Sequence, residues 1–197
     1  MCHYLEIIEE TESKKTYTNE MSSEEGKKAI ANLPRFSLIT FTGGEAFMKN
    51  DFMDILEFAT RKHKVHIITN GTTLSEKVVE VLMRLRLKSV WGSGLFYMGV
   101  SLEGEEALHD QITTVPGSFK KTTQGLERLV ARRKELNSKF PLIHLTCVIN
   151  RGNARQLVPL YEYANKLEVN VANYVLSSPA TYWHGKDYDQ DDHLQRP

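Results

Sequence analysis

Cysteine is scarce in this chain: 2 of 197 residues, Cys2 and Cys147. So few cysteines exclude a disulfide framework and suit a reducing compartment. Long apolar runs are missing too. None approaches the roughly 20 residues that span a bilayer, and the N-terminus lacks the basic-then-apolar layout of a secretory signal. There is no surplus of charge either, with 25 Lys+Arg against 25 Asp+Glu. Binders of phosphate backbone carry a basic surplus or stripe, so nucleic acid is not an expected partner. Arg128, Arg132, Arg133 and Lys134 form a local basic cluster, but their helical spacing reads as a solvated helix face. No Ser-His-Asp arrangement or Gly-x-Ser-x-Gly elbow stands out. His63 and His66, with or without His3, lack the i, i+4 pairing of zinc helices and read as surface or core histidines. The expectation is a cytoplasmic protein with no membrane partner.

What the chain does have is alternation. Five β-rich apolar runs, at 37–42, 65–69, 96–101, 143–149 and 169–176, each end in a short polar cluster. Helical patterns separate them. Ser22 or Ser23 caps a first helix ahead of the first run, with Glu24 and Glu25 in its opening turn. Asp51 caps a second, carrying Met53, Ile55, Leu56 and Phe58. Ser75 opens a third, whose Val78, Val81, Leu82 and Leu85 fall on one face. A longer connection through His109, Asp110 and Pro116 precedes a long helix capped by Ser118. Leu157, Leu160, Tyr161 and Ala164 mark the last helix. Strict alternation with helical crossovers predicts a parallel α/β sheet with right-handed connections, either open and doubly wound or most of a barrel. No linker or repeat divides it. Residues 1–182 are expected to form one domain and 183–197, with Trp183 and four aspartates, a loose tail.

Parallel strands bring their carboxyl ends to one rim, where ligands bind in α/β folds. That rim would carry Thr42, Gly43, Gly44 and Glu45, then Thr69, Asn70 and Gly71, then Ser101, Leu102, Glu103 and Gly104, then Asn150, Arg151 and Gly152, and finally Ser177 and Ser178. Hydroxyls, amides, two carboxylates and bare backbone suit a small polar ligand with amino, carboxylate and ribose groups. Each glycine also serves a strand-to-helix turn and each polar residue can cap a helix. Five such clusters on one rim favour a site. His109 and Asp110, adjacent in a loop, read as turn-forming rather than as an acid/base pair. Cys147 reads as a buried structural thiol.

Thr42-Gly43-Gly44-Glu45, Thr69-Asn70-Gly71 and Ser101-Leu102-Glu103-Gly104 at successive strand ends resemble the radical S-adenosylmethionine (radical SAM) enzymes. So does the stretch from His109-Asp110-Gln111-Ile112 to Pro116-Gly117-Ser118-Phe119. The resemblance is to the peptide- and protein-modifying branch of sulfatase-maturing and SPASM-type enzymes, and spans residues 1–178. It implies a partial (β/α)6-type, TIM-like barrel with five parallel strands, outer helices and a missing first strand. It also implies a [4Fe–4S] cluster, with SAM cleaved reductively to a 5′-deoxyadenosyl radical that abstracts hydrogen from a peptide, protein or small-molecule substrate. Gly43, Gly44 and Glu45, with Thr42, would hold the SAM amino group, and Ser101 its ribose or carboxylate region. Asn70, Glu103 and Asn150 would line the rim. A flavodoxin or ferredoxin would supply the electron.

In that family a C-x3-C-x-φ-C loop follows the first strand, and Met1-Cys2 matches only its end, so Cys2 is the implied metal ligand. The expectation is a fragment that is inactive alone. Ala46 stands where Pro often follows Gly-Gly-Glu, and Thr113-Thr114 where an Arg often binds the SAM carboxylate, a role that could pass to Arg151. Two other readings stay open. One is a cluster-less barrel that binds a small polar ligand or partner; the other is a lyase or aldolase using Glu45 and Glu103.

Overall fold

The computed structural model describes residues 20–35 and 37–176. Cys2, His3, Ser177, Ser178, Tyr182, Trp183 and the boundary at 182 lie outside them.

The strands are β1 (Leu38–Phe41), β2 (Lys64–Thr69), β3 (Gly94–Ser101), β4 (Leu142–Ile149) and β5 (Val171–Leu176). The helices are α1 (Ser23–Ala31), α2 (Phe52–Thr60), α3 (Glu76–Arg84), α4 (Glu106–Thr113), α5 (Ser118–Glu135) and α6 (Leu157–Leu167). All neighbouring strands pair in parallel, in the order β1-β2-β3-β4-β5. That order decides between the two architectures. A doubly wound sheet must reverse its strand order at a switch point. Sequential order with crossovers of one hand puts every helix on one face, the barrel arrangement. The described sheet is open, and β1 pairs only with β2.

The core lies between sheet and helices. Val65, Ile67, Met98, Val100, Ile143 and Leu145 are fully buried with Leu56, Leu82, Leu126 and Leu129. Strict alternation in β2 and β4 produces this: every second side chain enters the core, and its neighbours face the concave side.

Helix caps follow local chemistry. Ser22 and Glu25 form a capping box: Glu25 N donates to Ser22 Oγ at 3.3 Å, and Ser22 N to Glu25 Oε2 at 2.8 Å. Ser75 caps α3 through Val78 N. Asp51 precedes α2 without a side-chain cap bond; its carboxylate instead meets Lys49 Nζ at 2.7 Å.

Three expectations need correction. The stretch read as a connection holds α4, whose few apolar residues give no long stripe. Asp110 on α4 does the capping assigned to Ser118: its carboxylate accepts from Gly117 N, Phe119 N and Ser118 Oγ. Those bonds, the one from Phe119 first, hold its carboxyl below the usual range. Arg133 is not on a solvated face. It is 6% exposed and donates to Asn170 Oδ1, Glu168 O and Pro141 O, because the turn into β5 and the entry to β4 leave acceptors that only a forked cation can reach together. Arg132 and Lys134 do sit outside, paired with Glu80 and Glu168.

Candidate functional site at the carboxyl ends of the strands

After β1 the chain runs through Thr42, Gly43 and Gly44, all exposed. Gly43 has φ +144°, and a Cβ built on either glycine meets no described residue within 4 Å. Among the described residues, bare backbone therefore stands open here. Glu45 follows as the cap of a 3-10 turn, Ala46–Met48, and its carboxylate crosses to β2. Thr69 Oγ1 lies 2.8 and 2.9 Å from Oε1 and Oε2, and Asn70 N donates to Oε2 at 2.8 Å. Phe47 N donates to Oε1 at 3.3 Å. One fixed negative group thus stands beside open backbone.

The β2 end is set from behind. Asn70 Oδ1 accepts from Thr72 N and Thr72 Oγ1, closing the turn, and Asn70 O accepts from Thr122 Oγ1 of α5 at 2.7 Å. Gly71 is at φ +77°, and a Cβ there would come within 2.9 Å of Val100. Gly125 of α5 lies directly against Gly71 O, and a Cβ on it would also meet Leu74 Cβ at 2.9 Å. Only glycine fits either position.

Beyond β3, Ser101 is half-buried and its hydroxyl makes no hydrogen bond among the described residues. Glu103 is committed. Leu102 N donates to Thr146 O, and the next inward N–H of β4, from Val148, donates to Glu103 Oε2 at 2.8 Å. A carboxylate thus continues the β3–β4 ladder where the backbone turns away. Burial pushes its pKa up. Glu103 N donates to Nδ1 of buried His109 at 3.1 Å. Asn153, fully buried, donates to Glu103 O and Val148 O. Asn150 closes its own turn by accepting from Gly152 N and Asn153 N, and Arg151 is exposed on that turn.

The concave face below the rim is polar. Barrel interiors are dominated by bulky branched residues; here Ser101 pairs in register with Thr146, and Thr146 with Asn173. One layer down, His66 and His144 have ring centroids 6.0 Å apart. Gly99 lies between them, where a Cβ would approach His66 Nε2 to 3.5 Å. Thr40 Oγ1 is 3.5 Å from His66 Nδ1, and Tyr97 packs on both rings. Burial lowers both imidazole pKa values, and the neighbouring His144 lowers that of His66 further. His63 is a core histidine, 1% exposed.

The structure thus brings Glu45 and Asn70 into direct contact and leaves Ser101 open at the rim. It turns Glu103 towards the backbone of β4 and Asn150 into its own turn. Sequence reasoning missed Thr69 as Glu45's partner. A threonine in the last strand position before Asn-Gly was the available signal.

A family model described as the radical SAM superfamily matches residues 1–164. Fe-coproporphyrin III synthase of Methanosarcina barkeri (strain Fusaro / DSM 804) is 30% identical over 149 residues, covering 74% of this chain and 34% of that protein. The sporulation killing factor maturation protein SkfB of Bacillus subtilis (strain 168) is 29% identical over 153 residues, covering 76% of this chain and 34% of SkfB. The chain therefore spans about a third of the length of these curated relatives. A solved structure of native anSMEcpe with bound AdoMet and Kp18Cys peptide superposes with a TM-score of 0.61, at 16% identity, over 88% of this chain and 46% of that one; it shows the shared fold.

The superfamily uses a [4Fe–4S] cluster and SAM, and the residues fit the two unequally. Open backbone at Gly43 and Gly44 beside a fixed carboxylate suits an ammonium-bearing ligand. Cluster ligation is different. Cys147 is buried beside Glu103, and burial first, then that carboxylate, push its thiol up to about 12. It is not a thiolate donor, and Cys2 lies outside the described residues. The described residues thus offer a rim suited to an ammonium group and no cysteine thiolate. With the family match over residues 1–164 and five parallel strands in barrel order, the chain belongs to the radical SAM superfamily.

Proposed function

We propose that this chain is the SAM-binding core of a radical SAM enzyme that modifies a peptide or protein, with 1–182 as core and 183–197 as tail. The observation that carries this reading is Glu45, whose carboxylate is fixed by Thr69 and Asn70 beside the open backbone of Gly43 and Gly44. Glu45 and the carbonyls of 42–44 take the SAM ammonium group. Ser101, whose hydroxyl is uncommitted among the described residues, takes the ribose or carboxylate region. Asn70 and Asn150 shape the rim through their turns, and Glu103 braces β4.

Reductive cleavage of SAM needs thiolates beyond those of the described residues, here including Cys2. The described side chains bind and orient SAM and exclude water. A flavodoxin or ferredoxin in the cytoplasm donates the electron. The peptide reading is supported by SkfB, named as a maturation protein, and by the Kp18Cys peptide held by anSMEcpe. The lyase reading loses its second acid/base group, because Glu103 is tied to Val148 N.

Calorimetric titration with SAM tests the reading, with E45Q alongside. Saturable binding that E45Q weakens at least about tenfold supports it, since a charge-assisted hydrogen bond is lost. Binding unchanged by E45Q overturns the role of Glu45. Anaerobic reconstitution of a version extended upstream to complete the C-x3-C-x-φ-C loop that Cys2 would end then reads 5′-deoxyadenosine release.

A further inference from the structure

The opposite, N-terminal end of the sheet carries a second concavity. Loops at 33–35, 61–63 and 91–93, ahead of β1, β2 and β3, enclose about 580 Å³, a volume within the range of small-molecule sites. Its lining is basic. Arg35, Arg61, Lys62 and Lys64 contribute, and no carboxylate among the described residues does. In a chain of zero net charge this is a concentrated positive field. Arg61 and Lys62 make no ion pair among the described residues.

Two further observations point to a ligand. Trp91 lines the cleft and is 91% exposed, so a flat indole surface is left in water where it could stack. His63 also lines it, is 1% exposed, and neither ring nitrogen has a hydrogen-bond partner among the described residues. Buried polar groups are nearly always paired, and an orphan imidazole marks a place where a polar partner comes from outside the fold.

We propose that this cleft binds a nucleotide-class anion, with its phosphates on Arg61, Lys62 and Lys64 and its base stacked on Trp91. A concavity of limited volume with a single aromatic plane suits one planar ring better than an extended acidic peptide. Arg and Lys are the usual phosphate partners, and stacking on an aromatic side chain tolerates any base. Binding here is an equilibrium with no bond made or broken. It lies at the end of the sheet away from the rim, so it goes beyond the proposed SAM chemistry and does not depend on it.

The test is calorimetry on the full chain with ATP, with tripolyphosphate as the ring-less control and an oligoglutamate peptide as the acidic-polymer control. ATP should bind saturably and more tightly than either control. W91A should weaken ATP about tenfold and leave tripolyphosphate unchanged. R61E/K62E should weaken both, and E45Q should leave ATP binding unchanged, which separates this cleft from the rim. No saturable ATP binding, tripolyphosphate or oligoglutamate binding as tightly as ATP, indifference to W91A, or loss of ATP binding in E45Q would each overturn the proposal. Far-UV circular dichroism confirms that the variants fold.

Discussion

Thr69 and Glu45 are joined across two strand ends: the Thr69 hydroxyl lies 2.8 Å from Oε1 and 2.9 Å from Oε2 of the carboxylate. The same hydroxyl accepts from Gly71 N at 3.0 Å, so one buried side chain fixes both the acid and the turn beside it.

Replacing Thr69 by Val keeps the shape and removes both bonds. T69V should cost about 1–3 kcal/mol in urea unfolding, the range for a buried polar group left unpaired, and should weaken SAM binding. T69S should restore both. If T69V binds SAM as the parent does, Glu45 does not need its partner.

Arg133 is the second buried anchor. R133M leaves Glu168 O and Pro141 O without this donor and removes one of the two donors to Asn170 Oδ1, which keeps Ile143 N, and should destabilise by about 3 kcal/mol. Because two of those acceptors, Glu168 O and Asn170 Oδ1, lie in the turn into β5, hydrogen exchange should rise first in 168–176.

Glu103 makes stability depend on pH in an unusual direction for a carboxylate. Burial raises its folded-state pKa above the ordinary 4.5, so between those two values the folded chain holds more proton than the unfolded one. Its contribution is present below pH 4.5 and lost as pH rises through the raised value. E103Q keeps an acceptor for Val148 N and cannot titrate. Urea midpoints of E103Q should therefore lack this decline, while the parent shows it. Parallel profiles from pH 4 to 8 would refute the assignment.

Cys147, with its thiol pushed up to about 12 and its side chain buried, should resist iodoacetamide in the native chain at pH 8 and react in urea. Peptide mapping reads this directly, and native labelling at Cys147 would contradict the packing.

The strands were legible because each is a short run rich in β-branched, aromatic or other apolar residues, closed by Gly, Asn or Ser. β2 and β4 differ from their expected bounds by one residue at the start. α4 was hidden because Glu106–Thr113 carries only Ala107, Leu108 and Ile112 as apolar residues, too few for a stripe. Arg133 was misread because charge spacing shows which face a helix presents, but not that a loop 35 or more residues later will need a donor. At the rim the residue types were visible and their commitments were not. Glu103 and Glu45 look alike in sequence; one extends a ladder and the other stands beside open backbone, a difference made by strands that meet only in the fold.

The approach of Gly125 to Gly71 has a consequence for how the rim is held. α5 belongs to the outer layer, yet it touches the turn after β2 backbone to backbone, with Thr122 bonded to Asn70 O and Asn70 N bonded to Glu45. Helix, turn and carboxylate are thereby linked in series without a flexible side chain at the first joint. The position of the acid is gauged against the barrel's outer wall, and any side chain larger than hydrogen at 125 would move the ligand-facing edge from behind.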